Sequence, residues 1–542
     1  MNKVIAFFST RYTSILIIVI SVITRTVNVL FVSFYGRDKM IVVLQSKSLL
    51  NGNGLGIPQY LTSDTITPVY DYTPFWPPGY PIVLAPFLRA FNYNIYWATT
   101  TLDILAAIAL IFVVRKICKQ IGFPVAAVNI MTLITGCFEY TFINESLPTD
   151  TISVVFFLIG LSLLIGTSAM NQFSFKNVLI TSWFLFFPCI FRYSYPVISM
   201  AAILGLLFIA FIKQDLFLKK KGWWLLTFTS IFIVVFLLII KLNTGQVAYA
   251  AQTPRGYYPE NIIHWFPFIP SAFINIAFLT SQAIHLAGIP FQSSMQGLEI
   301  INVFATSILV VYFVIVVFKK KTHENAAALK LFFVVGGFAS LGVLVLLGYM
   351  SFTYKTQTGA FNNWNYVYEP RYFAFVILFL QIGLVGWLFA NQSIIRKNVF
   401  TKIIAGICVF ALIVEISHNL YFYAKVASSF KEYKSAVYRE QDYSYFISLL
   451  NEIEERYPGY EIWSAAPGDN FYQYLATYQG YVGIADPESF RNGKITVKKR
   501  TLLALMLYDH EIREYQSFLS SSATLQNKKI SNSNFYLIEL KP

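Results

Sequence analysis

Charge is scarce in this 542-residue chain, in which only 13% of the residues are Asp, Glu, Lys or Arg. Soluble domains carry about twice that fraction, so the composition excludes an ordinary soluble protein. Hydrophobic residues make up 56% of the sequence, and the mean hydropathy is +0.57. These values indicate an integral membrane protein.

Cysteine is also rare, and the four cysteines lie in or beside apolar runs: Cys118, Cys137, Cys189 and Cys408. None of them shows the spacing of a metal-binding motif, and none falls in the polar tail of the chain. We therefore expect no disulfide framework and no cysteine metal site.

Acidic residues are outnumbered by basic ones, which gives a net charge of +14. The basic residues cluster in short segments between apolar runs, such as 219–221 and 319–321. This is the pattern of membrane orientation rather than of nucleic-acid binding. It predicts a multi-pass protein of the inner (cytoplasmic) membrane with its N-terminus in the cytoplasm. The segments 36–94 and 243–298 and the C-terminal tail would then lie outside.

Eleven apolar runs are long enough to predict membrane-spanning helices. They predict an all-α polytopic membrane domain over residues 1–424. Arg192 and Pro196 interrupt the stretch that contains the fifth and sixth runs. The runs are 13–35, 95–115, 122–140, 149–168, 177–191, 195–212, 223–242, 299–318, 330–350, 371–390 and 400–422.

The composition becomes polar near residue 425, and the last 115 or so residues are enough for one small domain. We predict that residues 425–542 form a small extracytoplasmic α/β domain. Its predicted elements are helices at 443–457 and 470–479 and strands at 460–465 and 535–540.

The outer segment 36–94 contains the first candidate catalytic residue, Asp38. The segment is rich in Gly, Pro and Asn, so its backbone must lie at the membrane surface or line a cavity. A carboxylate beside the bilayer is costly unless it is solvated, paired or used in function. Asp38 is therefore a candidate general base, although neutralisation by Arg37 or Lys39 is the structural alternative.

Two further acidic residues, Glu145 and Asp150, lie in the outer turn between the third and fourth runs. Together with Asp38 they put two or three carboxylates on one membrane face, as acceptor binding or a divalent cation would need. Mg²⁺ or Mn²⁺ is compatible with this set but not required by it. For Asp150 or Thr149, an ordinary helix N-cap is the alternative.

Basic residues on the same face are candidates for binding a phosphate, because the guanidinium fork matches phosphate geometry. The candidates are Arg192, Arg255 and Arg371, and Arg25 lies within the first run. For Arg371 the alternatives are an ion pair with Glu369 or a position at the membrane interface. Lys39 and Lys47 are interpreted as surface charges.

Aromatic residues of the outer segment, above all Trp76 and Tyr80, are candidates for stacking on a sugar or for shaping the segment. The alternative is the aromatic belt of a membrane interface. We expect the charged candidates Asp38, Glu145 and Arg371 to meet in one aqueous pocket beyond the outer leaflet.

The order of these motifs resembles integral-membrane glycosyltransferases of the GT-C class. The resemblance is greatest to the bacterial branch related to protein O-mannosyltransferases and to the lipid A aminoarabinose transferase. It covers residues 10–390 well and the tail loosely. The motifs that carry it are 36–38 (Gly-Arg-Asp), 48–54, 77–81 (Pro-Pro-Gly-Tyr-Pro), 144–147 (Asn-Glu-Ser-Leu) and 369–372 (Glu-Pro-Arg-Tyr).

The resemblance implies a polyprenyl-phosphate sugar donor and a lipid, glycan or protein acceptor. It further implies inverting displacement with Asp38 as the base, and the donor phosphate among the outer arginines. Lys39 stands where related enzymes often have Glu, which speaks for metal-independent catalysis. A lipid or glycan transporter is the alternative function, but the acidic residues gather at outer loops rather than within spans.

Overall fold

Among the residues that the structure describes, seven helices are long and apolar enough to cross a membrane. The structure is a computed structural model that describes residues 6–32, 37–61, 64–71, 77–137, 148–169, 173–245, 326–353, 374–390, 399–428, 449, 452–465, 483–484, 497, 500–530 and 533–540. The prediction of a polytopic, mainly helical membrane protein is confirmed.

Ten of the eleven predicted runs coincide with a described helix, and the run at 299–318 lies outside the described residues. Three of the ten helices are shorter than a typical span: Val125–Cys137, Phe175–Phe186 and Ala374–Ala390. The count of eleven spans stays a prediction. The helices are α1 (Arg11–Val32), α2 (Arg37–Leu50), α3 (Gly79–Ala90), α4 (Ile95–Gln120), α5 (Val125–Cys137), α6 (Pro148–Ala169), α7 (Phe175–Phe186), α8 (Tyr195–Ile212), α9 (Leu216–Thr244), α10 (Ala326–Thr353), α11 (Ala374–Ala390) and α12 (Val399–Ser428).

The predicted break between the fifth and sixth runs is confirmed. Helix α7 tightens into a 3-10 turn at Phe187–Ile190, and α8 begins at Tyr195. Pro188 and Pro196 explain both boundaries, because proline lacks the amide hydrogen that continues a helix but is tolerated in its first turn. The break places Arg192 in a short turn between the two helices.

The chain divides into two compact units, and most of the membrane helices belong to the unit made of residues 1–28 and 103–427. Small and polar residues bring its helices together. A Cβ atom added to Gly136 would lie only 2.3 Å from Cβ of Ser21, so α1 and α5 are in close contact there. The Ser21 hydroxyl donates to the Thr132 carbonyl at 3.1 Å. Such contacts bind helices where apolar burial alone does not favour association.

A buried lysine joins α9 to the C-terminal end of α6 within this unit. Lys221 is 1% exposed, and its ammonium donates to the Thr167 hydroxyl and, at 2.9 Å, to the Ser168 hydroxyl. The last turn of a helix carries the negative end of the helix dipole, which favours a cation. Lys221 therefore stabilises the packing of α9 on α6.

This contact predicts that the free energy of unfolding depends strongly on the charge at position 221. We expect Lys221→Glu to lower the free energy of unfolding by about 3 kcal/mol or more, because it buries a carboxylate against the negative helix end. Lys220 is exposed, so Lys220→Glu is the matched control and should change stability by no more than about 0.5 kcal/mol. Thermal unfolding of the detergent-solubilised protein measures both, and equal effects would contradict the role of Lys221.

The second unit consists of residues 29–102 and 428–542. The sequence predicts an outer loop at 36–94, but much of this segment has regular structure. Helix α2 is followed by an antiparallel hairpin of β1 (Ile57–Leu61) and β2 (Asp64–Asp71), and then by α3. Helix α2 was not predicted, because the polar and apolar residues along it follow each other irregularly and resemble those of a loop.

A five-stranded sheet forms the other part of this unit. Its strands are β3 (Glu461–Ala465), β4 (Gly483–Ile484), β5 (Thr501–Tyr508), β6 (Ala523–Ile530) and β7 (Ser533–Leu540), and their order in the sheet is β4-β3-β5-β7-β6. Strand β5 is central and continuously apolar, because clusters of buried side chains cover both of its faces. The predicted strands at 460–465 and 535–540 are confirmed, whereas β5 was not predicted. The predicted helix at 470–479 lies outside the described residues, and the domain boundary at 425 stays a prediction. Helix α13 (Ile512–Ser521) lies between β5 and β6 in the sequence.

Candidate functional site

Two of the predicted site residues, Asp150 and Arg192, form a buried ion pair. Asp150 lies in the first turn of α6, and Arg192 lies in the turn that precedes α8. Arg192 Nε lies 2.5 Å from Asp150 Oδ1, and the two residues are only 5% and 6% exposed. The sequence analysis gave these residues separate roles, in phosphate binding and in acceptor or metal binding, and those roles stay predictions. In the structure the two side chains contact each other directly.

Aromatic packing fixes the turn that carries Arg192. The ring of Phe191 is fully buried and stacks on Phe156, with ring centroids 5.6 Å apart and an interplanar angle of 11°. Tyr195, in the first turn of α8, is buried as well. Packed rings thus fix the backbone of the turn. The Asp150 carboxylate fixes the guanidinium of Arg192.

The ion pair lies in a setting where charge is expensive. Removing two charges from water costs several kcal/mol per ion, and an apolar pair of equal size is often at least as stable. Next to the pair, the Thr149 hydroxyl is buried and has no hydrogen-bond partner among the described residues. A buried charged pair beside such a hydroxyl in a membrane protein is a functional-site candidate.

Asp38 lies in the first turn of α2 and belongs to the other unit, so its convergence with Glu145 and Arg371 stays a prediction. The interpretation of Lys39 as a surface charge is wrong, and Lys47 is only partly at the surface. Lys39 is fully buried, and Lys47 is half-buried, with burial lowering the pKa of its ammonium to about 7. Loop composition gave no signal for this burial.

Tyr80 is fully buried in the first turn of α3. Its ring therefore has no exposed surface, and its role in stacking on a sugar or in shaping the segment stays a prediction. The remaining candidates, Trp76, Glu145, Arg255 and Arg371, lie outside the described residues.

Two side chains satisfy backbone carbonyls at the C-terminal end of α5, which precedes the segment containing Glu145. Arg25 Nε donates to the Thr135 carbonyl at 3.3 Å, and Asn419 Nδ2 donates to the Cys137 carbonyl at 2.7 Å. Terminal carbonyls of a short helix need such partners in hydrocarbon. Arg25 thus has a structural role in this unit, which its place among the outer basic residues did not predict.

No group of three or more His, Cys, Asp or Glu residues in the described part of the chain is placed to bind a metal ion. Asp150 contacts a guanidinium, whose positive charge takes the place that a cation would occupy beside this carboxylate. The divalent cation of the sequence analysis stays a prediction.

Comparisons with known proteins give structural similarities, whereas no protein-family model and no curated protein sequence matches the chain. ArnT from Cupriavidus metallidurans, bound to undecaprenyl phosphate, is 10% identical, with 94% of this chain and 96% of that chain covered and a TM-score of 0.48. An oligosaccharyltransferase from Archaeoglobus fulgidus, in complex with Zn and sulfate, is 11% identical, with 97% and 72% covered and a TM-score of 0.44. Archaeal oligosaccharyltransferase AglB from Archaeoglobus fulgidus, with an inhibitory peptide and a dolichol-phosphate, is 12% identical, with 97% and 74% covered and a TM-score of 0.42. All three TM-scores lie below 0.5, and no residue role is transferred from these proteins to this chain.

Proposed function

We propose that the protein is a membrane glycosyltransferase, a hexosyl- or pentosyltransferase that uses a polyprenyl-phosphate sugar. It acts at the outer face of the cytoplasmic membrane, and its acceptor is a hydroxyl of a lipid, a glycan or a protein. The observation that carries the proposal is the buried Asp150–Arg192 pair at the start of an apolar helix. The motifs of the outer segment, which resemble GT-C glycosyltransferases, support the same function.

Arg192 is proposed to bind the donor phosphate. A guanidinium keeps its charge at any physiological pH and donates several hydrogen bonds in one plane. One edge of the Arg192 guanidinium contacts Asp150, which fixes its orientation before a ligand arrives. A fixed cation in a low-dielectric setting stabilises the negative charge that develops on a leaving phosphate.

Asp38 is proposed to act as the general base. It takes the proton of the acceptor hydroxyl as the acceptor oxygen forms a bond to the anomeric carbon. The bond from that carbon to the phosphate oxygen breaks on the opposite side, so the configuration inverts and the polyprenyl phosphate leaves as an anion. The atoms and charges balance without an oxidant or a reductant. A divalent cation is compatible with this step, and loss of transfer on addition of a chelator would show that the cation is required.

The experiment is a transfer assay in proteoliposomes with radiolabelled undecaprenyl-phosphate sugars and a mixture of envelope lipids and glycans as acceptors. We expect labelled product together with an equal amount of released undecaprenyl phosphate. The matched control is the corresponding nucleotide sugar, which should give no product. Transfer from the nucleotide sugar would contradict the donor class, and movement of intact donor across the bilayer without transfer would indicate a transporter.

A further inference from the structure

Helix α2, which carries Asp38, has an unusual combination of polarity and burial. Its sequence contains Gln45, Ser46 and Ser48 as well as charged residues, yet Gln45 and Ser46 are fully buried and Ser48 is 4% exposed. The helix packs against α3 and β1 within its own unit. A polar helix buried in this way needs a partner for each of its polar side chains.

For two of these side chains, no partner lies among the residues that the structure describes. Neither Oε1 nor Nε2 of Gln45 has a hydrogen-bond partner in the described part of the chain, and the same is true of the Ser48 hydroxyl. Ser46 differs, because its hydroxyl donates to the Val42 carbonyl of the same helix at 2.7 Å. An unsatisfied buried amide is destabilising, and an apolar residue of equal size would avoid the penalty.

Gln45 lies on the same face of α2 as Asp38. Seven residues make about two helical turns, so positions 38 and 45 share one face and lie about 10 Å apart along the axis. Helical side chains lean toward the N-terminus, which brings the amide of Gln45 closer to the turn that contains Asp38. By the same periodicity, Lys39 and Lys47 lie away from this face. The two lysines of α2 therefore lie off the face that Gln45 and Ser48 share with Asp38.

We propose that Gln45 and Ser48 bind hydroxyl groups of the transferred sugar while Asp38 acts at the reacting centre; this inference rests on the proposed function. A carboxamide both donates and accepts, which matches a sugar hydroxyl, and the Ser48 hydroxyl matches a second one. Neither the amide nor the hydroxyl carries a charge, so both suit the neutral hydroxyl groups of a sugar. Gln45 and Ser48 are thus specificity-determining residues.

The test is carried out in proteoliposomes with the undecaprenyl-phosphate sugar that the wild-type protein transfers, called here the natural donor. It is compared with deoxy analogues that each lack one sugar hydroxyl. Wild-type protein should lose about tenfold in kcat/KM for at least one analogue, because a buried polar group is then left unpaired. Gln45→Met removes the amide at nearly constant volume. We expect it to lower kcat/KM for the natural donor about tenfold and to reduce the discrimination against one deoxy analogue to less than twofold.

Ser48→Ala should abolish discrimination against a different analogue, and it serves as the second variant if Gln45→Met does not accumulate in the membrane. Ser46→Ala is the matched control on the same helix and should behave like wild type. Thermal unfolding separates the inference from a structural role, since Gln45→Met should be as stable as wild type or more stable. Wild-type discrimination in both Gln45→Met and Ser48→Ala would overturn the inference while leaving the proposed function intact. Absence of transfer by wild-type protein would overturn both.

Discussion

Asp38→Asn is expected to lower kcat for sugar transfer by about 10²- to 10⁴-fold, the usual contribution of a positioned general base. The amide of Asn has nearly the size and shape of the carboxylate but cannot take a proton from the acceptor. Since the proposed role concerns the chemical step, KM for the donor should change by less than about threefold. Steady-state kinetics with a saturating acceptor in proteoliposomes measures both parameters.

A second acidic residue of the same outer segment provides the control. Asp71 ends strand β2, where its backbone lies opposite Ile57 in the hairpin register. Asp71→Asn removes one negative charge from the same segment, so it reports any general electrostatic effect on the donor. We expect it to retain wild-type kcat. Full transfer by Asp38→Asn would show that Asp38 has no part in the mechanism. Equal losses of kcat in both variants would show that only the negative charge of Asp38 matters.

The ion pair of Asp150 and Arg192 gives the other large effect. Asp150→Asn and Arg192→Gln should each lower the free energy of unfolding by about 3–5 kcal/mol, because each leaves a buried charge without its counterion. The double variant removes both charges, so its stability should return to within about 1 kcal/mol of wild type. Thermal unfolding of the four proteins in detergent measures this cycle.

Steady-state kinetics at varied donor concentration distinguish a role of Arg192 in donor binding from a purely structural role of the ion pair. If Arg192 binds the donor phosphate, the double variant remains defective although its stability is restored. A lost charge-assisted hydrogen bond is equivalent to about 1.5–3 kcal/mol, so KM for the donor should rise by about 10- to 150-fold. Wild-type KM in the double variant would show that the pair only stabilises the fold.

The polytopic helical fold was predictable because apolar runs of membrane length leave few alternatives to helices. The break between α7 and α8 was predictable as well, since two prolines mark it. Helix α2 was missed because its polar residues resemble those of a loop, and β5 was missed because a strand buried on both faces lacks alternation. Both errors arise where tertiary burial overrides a local pattern.

The candidate site was predictable in its residue types but not in its pairings. A carboxylate at the start of an apolar helix and an arginine in a proline-flanked turn are visible in the sequence. Their direct contact depends on the packing of α6 against the segment before α8, and no local pattern reports it. The burial of Lys39 is likewise a product of packing, and so is the Gln45 amide that has no hydrogen-bond partner among the described residues. Spacing along one helix does not reveal either of them.

The hydrogen bond from Asn419 to the Cys137 carbonyl joins residues that are 282 positions apart. During synthesis, α5 leaves the ribosome long before α12, so its end lacks this partner until the last membrane helix has been inserted. The hydrogen bonding at the C-terminal end of α5 is therefore completed late in biogenesis. A nascent chain cut off before residue 399 would already contain Asp150 and Arg192, yet the carbonyl beside the Glu145 segment would still lack this partner.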